Sequence, residues 1–381
     1  MIEKISKAAK NCIETLLSNG FEAYIVGGAV RDILMGIMPQ DFDVTTNAKP
    51  EDVIKLFKKT VPTGIEHGTV TVIIDNENIE VTTFRNDGKY SDHRSPETVK
   101  FVSNIDDDLS RRDFTVNAIC YNPKTDIYDP LCGRKDIDAK VIRAIGNANE
   151  RYNEDALRIM RAFRFAAQLG FKLEKQTYEA AISSANLLES ISRERIFIEF
   201  KKALCSMNAT AINPLITNGG LEFLNIPSKE IPKAVELLPK NFAFRFAFMA
   251  KELSFDAKDV LTALKSDRKT ITDTFEFSKL LSSPLKTRAD IKIMLKSNSL
   301  DNVKTFLQYK DNEKLSELED ILKQNEPYNL SMLKISGNDI EKLGFKGKEI
   351  GEILEKILLL VIDNPKQNEK ENLIHFVSKN F

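Results

Sequence analysis

The chain has 381 residues, 42% hydrophobic and 29% charged, with a net charge of −1. That length allows two or three domains with a substantial core, and no run of eighteen apolar residues marks a membrane span. Only three histidines (His67, His93, His375) and four scattered cysteines are present, which argues against H-E-x-x-H metallohydrolases, C-x-x-C zinc sites and a disulfide framework.

The first twenty residues mix charged and apolar positions at helical spacing, where a secretory leader would need an uninterrupted apolar core; a cytoplasmic protein is expected. Next comes the strand "AYIV", a helix from about Ala29 to Gly36, and the strand "DFDVTT". "KPEDVIKLFKKT" reads as a helix with Pro50 in its first turn. Three β-like runs follow, "GTVTVIID", "NIEVTTFR" and "TVKFV", with a hairpin turn at Asp75-Asn76 and Glu77-Asn78. Beyond about Asn147 the β signal fades. "NEDALRIMRAFRFAAQLGF" reads as one helix ending at Gly170, and helical periodicity continues to the C-terminus. The pattern is an α+β head with one mixed sheet, followed by an all-helical body.

The chemistry is concentrated in the head. Asp41 and Asp43 stand two apart in an extended run, so their carboxylates leave one face, while Phe42 points the other way. Such a pair repels itself unless a cation lies between, and Mg2+, shared with substrate phosphates, is the expected occupant; a solvated strand end is the alternative. Gly27 and Gly28 join a strand to a helix, where backbone N–H groups can cradle a phosphate, although a GG pair also makes a plain turn. Glu80 alternates with Ile79 and Val81, which makes it either a third carboxylate for the metal or an outward surface residue.

Arginine is unevenly spread. Thirteen of the sixteen arginines precede residue 200, as suits recognition of a polyanion by the first half. Projected on a helix, Glu154, Asp155, Arg158, Arg161 and Arg164 fall on one half, and Ile159, Met160 and Phe163 on the other. Glu154 and Arg158 make a favourable i,i+4 pair. Three arginines exceed what two acids need, so triphosphate or base contacts are expected.

In order along the chain, "GGAVRDILMG…DFDV", "RRDFTVNAI" (Arg111 to Ile119), "EDALRIMRAFRFAAQLGF" (Glu154 to Phe171) and "ISRERIFIEF" (Ile191 to Phe200) resemble motifs of one family. The first is similar to the opening motif of the DNA polymerase beta-type nucleotidyltransferases, and the others to motifs of the class II tRNA nucleotidyltransferases, the CCA-adding enzymes. The resemblance covers about residues 20–205. It implies a catalytic head at 1–145, a helical neck with a nucleotide-selecting helix at 146–205, and a tRNA-binding body and tail at 206–381. It also implies Asp41, Asp43 and Glu80 as catalytic carboxylates, the first two as metal ligands.

Gly28, Arg31 and Arg112 would contact the nucleotide, with Asp32 orienting Arg31, and Asp113 would read the ribose hydroxyl. Asp155 and Arg158 would read the base, and Arg161 and Arg164 would hold phosphates or help to reorient that pair. The implied substrates are CTP, ATP and the tRNA 3′ end and acceptor region, with no membrane and no obligate protein partner. The rivals are a poly(A) polymerase, a partial CC- or A-adding enzyme, and an RNA-binding protein without catalysis. The segment "FRNDGKYSDHRSPETVKF" resembles the flexible loop of complete enzymes, and the loop from about Asn86 to Pro96 is expected to support the change from C to A.

Overall fold

The structure is a computed structural model and describes residues 4–87 and 99–381. It contains two compact units: residues up to Ile231 with Ala263–Lys265, and Pro232–Thr262 with Ser266–Phe381.

The first unit is built on a seven-stranded sheet. Helix α1 (Lys7–Ser18) starts where the Ser6 hydroxyl accepts from the Ala9 N–H and buries Ala9, Cys12, Ile13 and Leu16. The strand β1 (Ala23–Val26) leads to α2 (Gly28–Leu34), β2 (Asp43–Thr46) and α3 (Pro50–Leu56), with Pro50 in the first turn as expected. Then come β3 (Thr60–Gly64), β4 (Thr69–Ile74) and β5 (Glu77–Thr83). The β4–β5 turn is Asp75-Asn76, both at positive φ; Glu77 and Asn78, expected in the turn, already pair across the ladder. A separate pair, β6 (Arg85–Asp87) and β7 (Val99–Phe101), leads to α4 (Ile105–Ser110).

The sheet is completed by β8 (Cys120–Asn122) and β9 (Asp126–Tyr128), giving the order β3-β4-β5-β2-β1-β8-β9. Only β2 and β5 run parallel within it, and the mixed sheet agrees with expectation. The strands β3, β8 and β9 are not evident from the pattern. Helix α5 (Gly133–Asp138) docks so closely that a Cβ on Gly133 would lie 2.2 Å from the Thr115 carbonyl oxygen.

Beyond the sheet the chain is helical except for one parallel pair, β10 (Val141–Ile142) with β11 (Lys172–Leu173), a correction to the all-helical expectation. The helices are α6 (Ala148–Glu154), α7 (Leu157–Leu169), α8 (Lys175–Ser183), α9 (Arg193–Leu204) and α10 (Asn213–Thr217). The single helix expected over Asn153–Phe171 is two. Asp155 is extended, with φ −135° and ψ 100°, and its carboxylate accepts from the Leu157 N–H at 3.1 Å, as a cap for α7. Gly170, at φ 68°, ends α7 as expected.

The second unit is helical throughout its described residues, from Phe242–Leu253 to Lys370–Asn380. Phe244 is its hub, stacked on Phe277 at 4.7 Å between ring centroids and edge-on to Tyr309. Among the described residues no helix is long and apolar enough to cross a membrane.

Candidate nucleotide site

Alternate residues of β3, β4 and β5, with the start of β2, line a cleft of about 1280 Å³ in the first unit. Eight arginines and five carboxylates are among the residues that line it, so a polyanion and a cation can both be accommodated.

The carboxylates mark one end. Asp43 opens β2 and stands directly opposite Glu80 in the parallel register. Alternation along β5 buries Ile79 and Val81 and leaves Glu80 exposed in the cleft, so the strand order brings Glu80 beside the aspartates. Asp41 precedes the strand rather than lying in it, but it too is exposed and lines the cleft, while Phe42 is buried. Enclosure by the cleft walls, Glu80 and Asp41 push the Asp43 carboxyl up to about 6, against the pull of Arg112.

Crowded hard oxygens of this kind fit a divalent cation. Among the described residues no group of three or more acidic, histidine or cysteine side chains is arranged so that it could hold a metal ion by itself.

The arginines mark the other walls. Gly27, at φ 75° and ψ −131°, turns the chain from β1 into α2, and a Cβ there would meet Arg112 Nη1 at 3.5 Å. Gly28 has an ordinary φ, so the turn demands glycine at 27 rather than 28. Arg31 donates to Asp32 at 2.9 Å and to Asn117 at 2.6 Å, which places Asp32 in the orienting role expected for it. Arg112 is held by Asp108 at 3.1 Å.

Asp108 is fully buried, and it also accepts from Arg111 and from the Thr45 hydroxyl. Burial alone would raise its pKa, but the two guanidiniums hold it below the usual carboxylate range.

Asp113 lines the cleft with its acceptors engaged. Its carboxylate takes the Phe114 N–H, the Asn117 amide and the Arg161 guanidinium, the last at 2.8 Å. Burial is outweighed by these donors and the pKa falls to about 2. Arg161 is therefore tied to Asp113, and Arg164 makes an ion pair with Glu199. Both arginines, with Arg31, surround the Phe165 ring, Arg164 most closely at 3.7 Å. Arg161 and Arg164 thus reach the cleft as members of internal pairs.

At the α6–α7 joint, Asp155 and Arg158 line the cleft together. The guanidinium of Arg158 donates to Glu154 at 2.8 Å, the expected i,i+4 pair, and to the Arg111 carbonyl at 2.9 Å. Asp155 accepts from Arg195 at 3.0 Å. The pair offers an acceptor beside a donor, the complement of an amino group beside an unprotonated ring nitrogen.

All eleven expected site residues line this one cleft. Sequence reasoning missed Asp108, Asn117, Glu199 and Arg195, which hold the others in place. The available signal was weak: Glu199 and Arg195 lie in the motif "ISRERIFIEF", but no spacing rule ties them to residues forty positions away. The loop from about Asn86 to Pro96 lies, apart from Asn86 and Asp87, outside the described residues.

Residues 23–143 match the Poly A polymerase head domain family, and residues 170–225 match the family described as the probable RNA and SrmB-binding site of polymerase A. The CCA-adding enzyme of Streptococcus mutans is 37% identical over 386 aligned residues, covering 96% of this chain and 95% of the relative. The crystal structure of the Bacillus stearothermophilus CCA-adding enzyme in complex with CTP aligns with a TM-score of 0.86 at 31% identity, covering 98% of this chain and 96% of that one. A Thermotoga maritima CCA-adding enzyme complexed with tRNA shares the fold, with a TM-score of 0.67 at 22% identity over 99% and 97% of the two chains.

Proposed function

The chain belongs to the family of CCA-adding enzymes, and we propose that its arginine-lined cleft carries the family's reaction. The protein adds C, C and A to the 3′ end of tRNA from CTP and ATP, without a nucleic-acid template. The observation that carries this reading is that the Asp43–Glu80 carboxylates and the Asp155–Arg158 pair line one and the same cleft.

We propose Mg2+ as the ion, held by Asp41 and Asp43 with Glu80 beside them. When bound, it would neutralise charge at the reacting phosphate and lower the pKa of the attacking hydroxyl. The Gly27-Gly28 turn, Arg31 and Arg112 bind the triphosphate, with Arg161 and Arg164 adding positive field from their ion pairs. Asp113 reads the ribose through Arg161 and Asn117, whose positions it fixes. Attack by the tRNA 3′ oxygen on the α-phosphorus forms the new phosphodiester, pyrophosphate leaves, and no covalent enzyme intermediate is needed.

Selection follows from donors and acceptors. Cytosine and adenine both present an amino group beside a bare ring nitrogen, so Asp155 accepts from the first and Arg158 donates to the second. Uracil and guanine present a carbonyl and an N–H in these places and leave buried polar groups unpaired.

We assign residues 1–145 to catalysis, 146–205 to nucleotide selection and 206–381 to gripping tRNA through its shape and phosphates. A cytoplasmic location follows from the substrate. The loop from Asn86 to Pro96 would allow the change from a pyrimidine to a purine.

The experiment is to supply CTP or ATP singly to tRNAs ending before the first C, after one C and after CC. CTP extending only the first two substrates, and ATP only the third, is the expected result. Repeated ATP addition to any of them would instead make the protein a poly(A) polymerase.

A further inference from the structure

Asp155 occupies an unusual place for a residue that must hold a fixed acceptor. It lies in the extended joint between α6 and α7, outside both helices. Its Oδ1 accepts from the Leu157 N–H at 3.1 Å. One such bond is a pivot, about which a carboxylate can still turn. The second bond comes from α9, where Arg195 Nη2 reaches Oδ2 at 3.0 Å. Among the described residues the Nη1 of Arg195 is buried without a hydrogen-bond partner, so the Asp155 bond is not one of several equivalent anchors for this side chain.

The same face of α9 carries Glu199, one turn on, which pairs with Arg164 and lies 4.0 Å from Arg161. Helix α9 packs along α7, and Arg195 lines the cleft alongside Asp155 and Arg158.

We propose that Arg195 is a positioning residue for nucleotide selection. It fixes the plane of the Asp155 carboxylate so that its free lone pairs face the exocyclic amino group of the incoming base. This rests on the reading of Asp155 and Arg158 as the base readers. Arg158 has its own supports, Glu154 and the Arg111 carbonyl. Asp155 has Leu157 and Arg195, and among the described residues only Arg195 hydrogen-bonds its side chain from another element of the fold.

The effect on selectivity is larger than the effect on rate, for a physical reason. A base with an amino group attracts the carboxylate and helps to orient it, so a loosened Asp155 can still be recruited. A base with a carbonyl repels a fixed carboxylate, but a loosened one can turn away and relieve the penalty. Removing Arg195 therefore admits UTP and GTP more than it slows CTP and ATP. A pair that served folding alone would lower the use of all four nucleotides by one common factor.

The test compares wild type with Arg195→Ala, Arg195→Lys, Asp155→Ala and Arg158→Ala. The readouts are kcat/KM for CTP and UTP on tRNA lacking its end, for ATP and GTP on tRNA ending in CC, and the melting temperature of each protein. Arg195→Ala should lose about tenfold of the CTP-to-UTP ratio, within the range of one paired base contact. Arg195→Lys, which keeps a charged donor, should regain most of it. A wild-type ratio in Arg195→Ala, with the ratio lost in Asp155→Ala and Arg158→Ala, overturns the proposal and leaves the base-reading pair standing. Wild-type ratios in all of the variants overturn the base-reading pair, and the proposal with it.

Discussion

Asp43 and Glu80 stand in direct register on the only parallel strand pair of the main sheet, and both side chains open into the nucleotide cleft. Burial in the cleft, with Glu80 and Asp41 nearby, raises the Asp43 carboxyl to about 6 against the pull of Arg112.

Removing these carboxylates should abolish chemistry without unfolding the protein. Asp43→Ala and Asp41→Ala are expected to lower the single-turnover rate of C addition by more than about a hundredfold, or roughly 3 kcal/mol of transition-state stabilisation. Glu80→Ala should show a smaller loss. Circular dichroism and tRNA binding should be unchanged, because all three side chains are exposed. Near-normal rates in saturating magnesium would remove them from the metal site.

The glycine turn makes a sharper distinction than its sequence suggests. Gly27→Ala forces a side chain into φ 75°, ψ −131°, a strained backbone although its 3.5 Å contact with Arg112 Nη1 is ordinary, and should cost about 1–3 kcal/mol along with a raised KM for CTP. Gly28→Ala meets only Arg31 Nη2 at 3.6 Å, an ordinary contact, and should be the milder change. Equal effects on urea midpoint and KM would contradict this account of the turn.

Asp113 should make the first unit acid-labile in a defined window. Its pKa is lowered to about 2 in the folded chain, from a usual 3.8. A lowered carboxyl contributes stability that is present above its unfolded value and lost as pH falls through the folded one. The window is therefore about pH 4 down to pH 2, and the contribution is about 2 kcal/mol. Urea midpoints of wild type should fall across that window more steeply than those of Asp113→Asn, which lacks the titration. Parallel curves would show that the Arg161 pair contributes nothing to the acid response.

Much of this site was legible in the chain. The strand "AYIV", the glycine turn, the alternation around Glu80 and the arginine-rich helix after Asn153 each carry a local signature, and the last three deliver residues to the cleft. What was not legible depends on distant partners. "NEDALRIM" contains no glycine or proline, so nothing in its pattern marks the break at Asp155, which is stabilised by the Leu157 and Arg195 bonds. "IDDDLSRRD" carries no local mark of burial, yet Asp108 is fully buried, with two arginines and Thr45 around it. The strands β8 and β9 span three residues each, too few for periodicity to register.

The reading pair makes a prediction of its own. Arg158→Ala removes the donor and leaves the Arg111 carbonyl and Glu154 without that partner. It should lower CTP and ATP use and weaken the exclusion of UTP and GTP by about 1–3 kcal/mol. Competition assays with mixed nucleotides measure this directly. Unchanged preference would make Arg158 a helix ion pair only.

The most direct test of the whole account is to give the protein a tRNA that lacks its 3′ terminal triplet, with all four nucleotides and magnesium together, and to sequence the products. The account predicts that the products end in CCA and stop there, with uridine and guanosine excluded, because side chains at one cleft choose each base. Tails of repeated adenosine, ends that stop at CC, or uridine in the added triplet would contradict it.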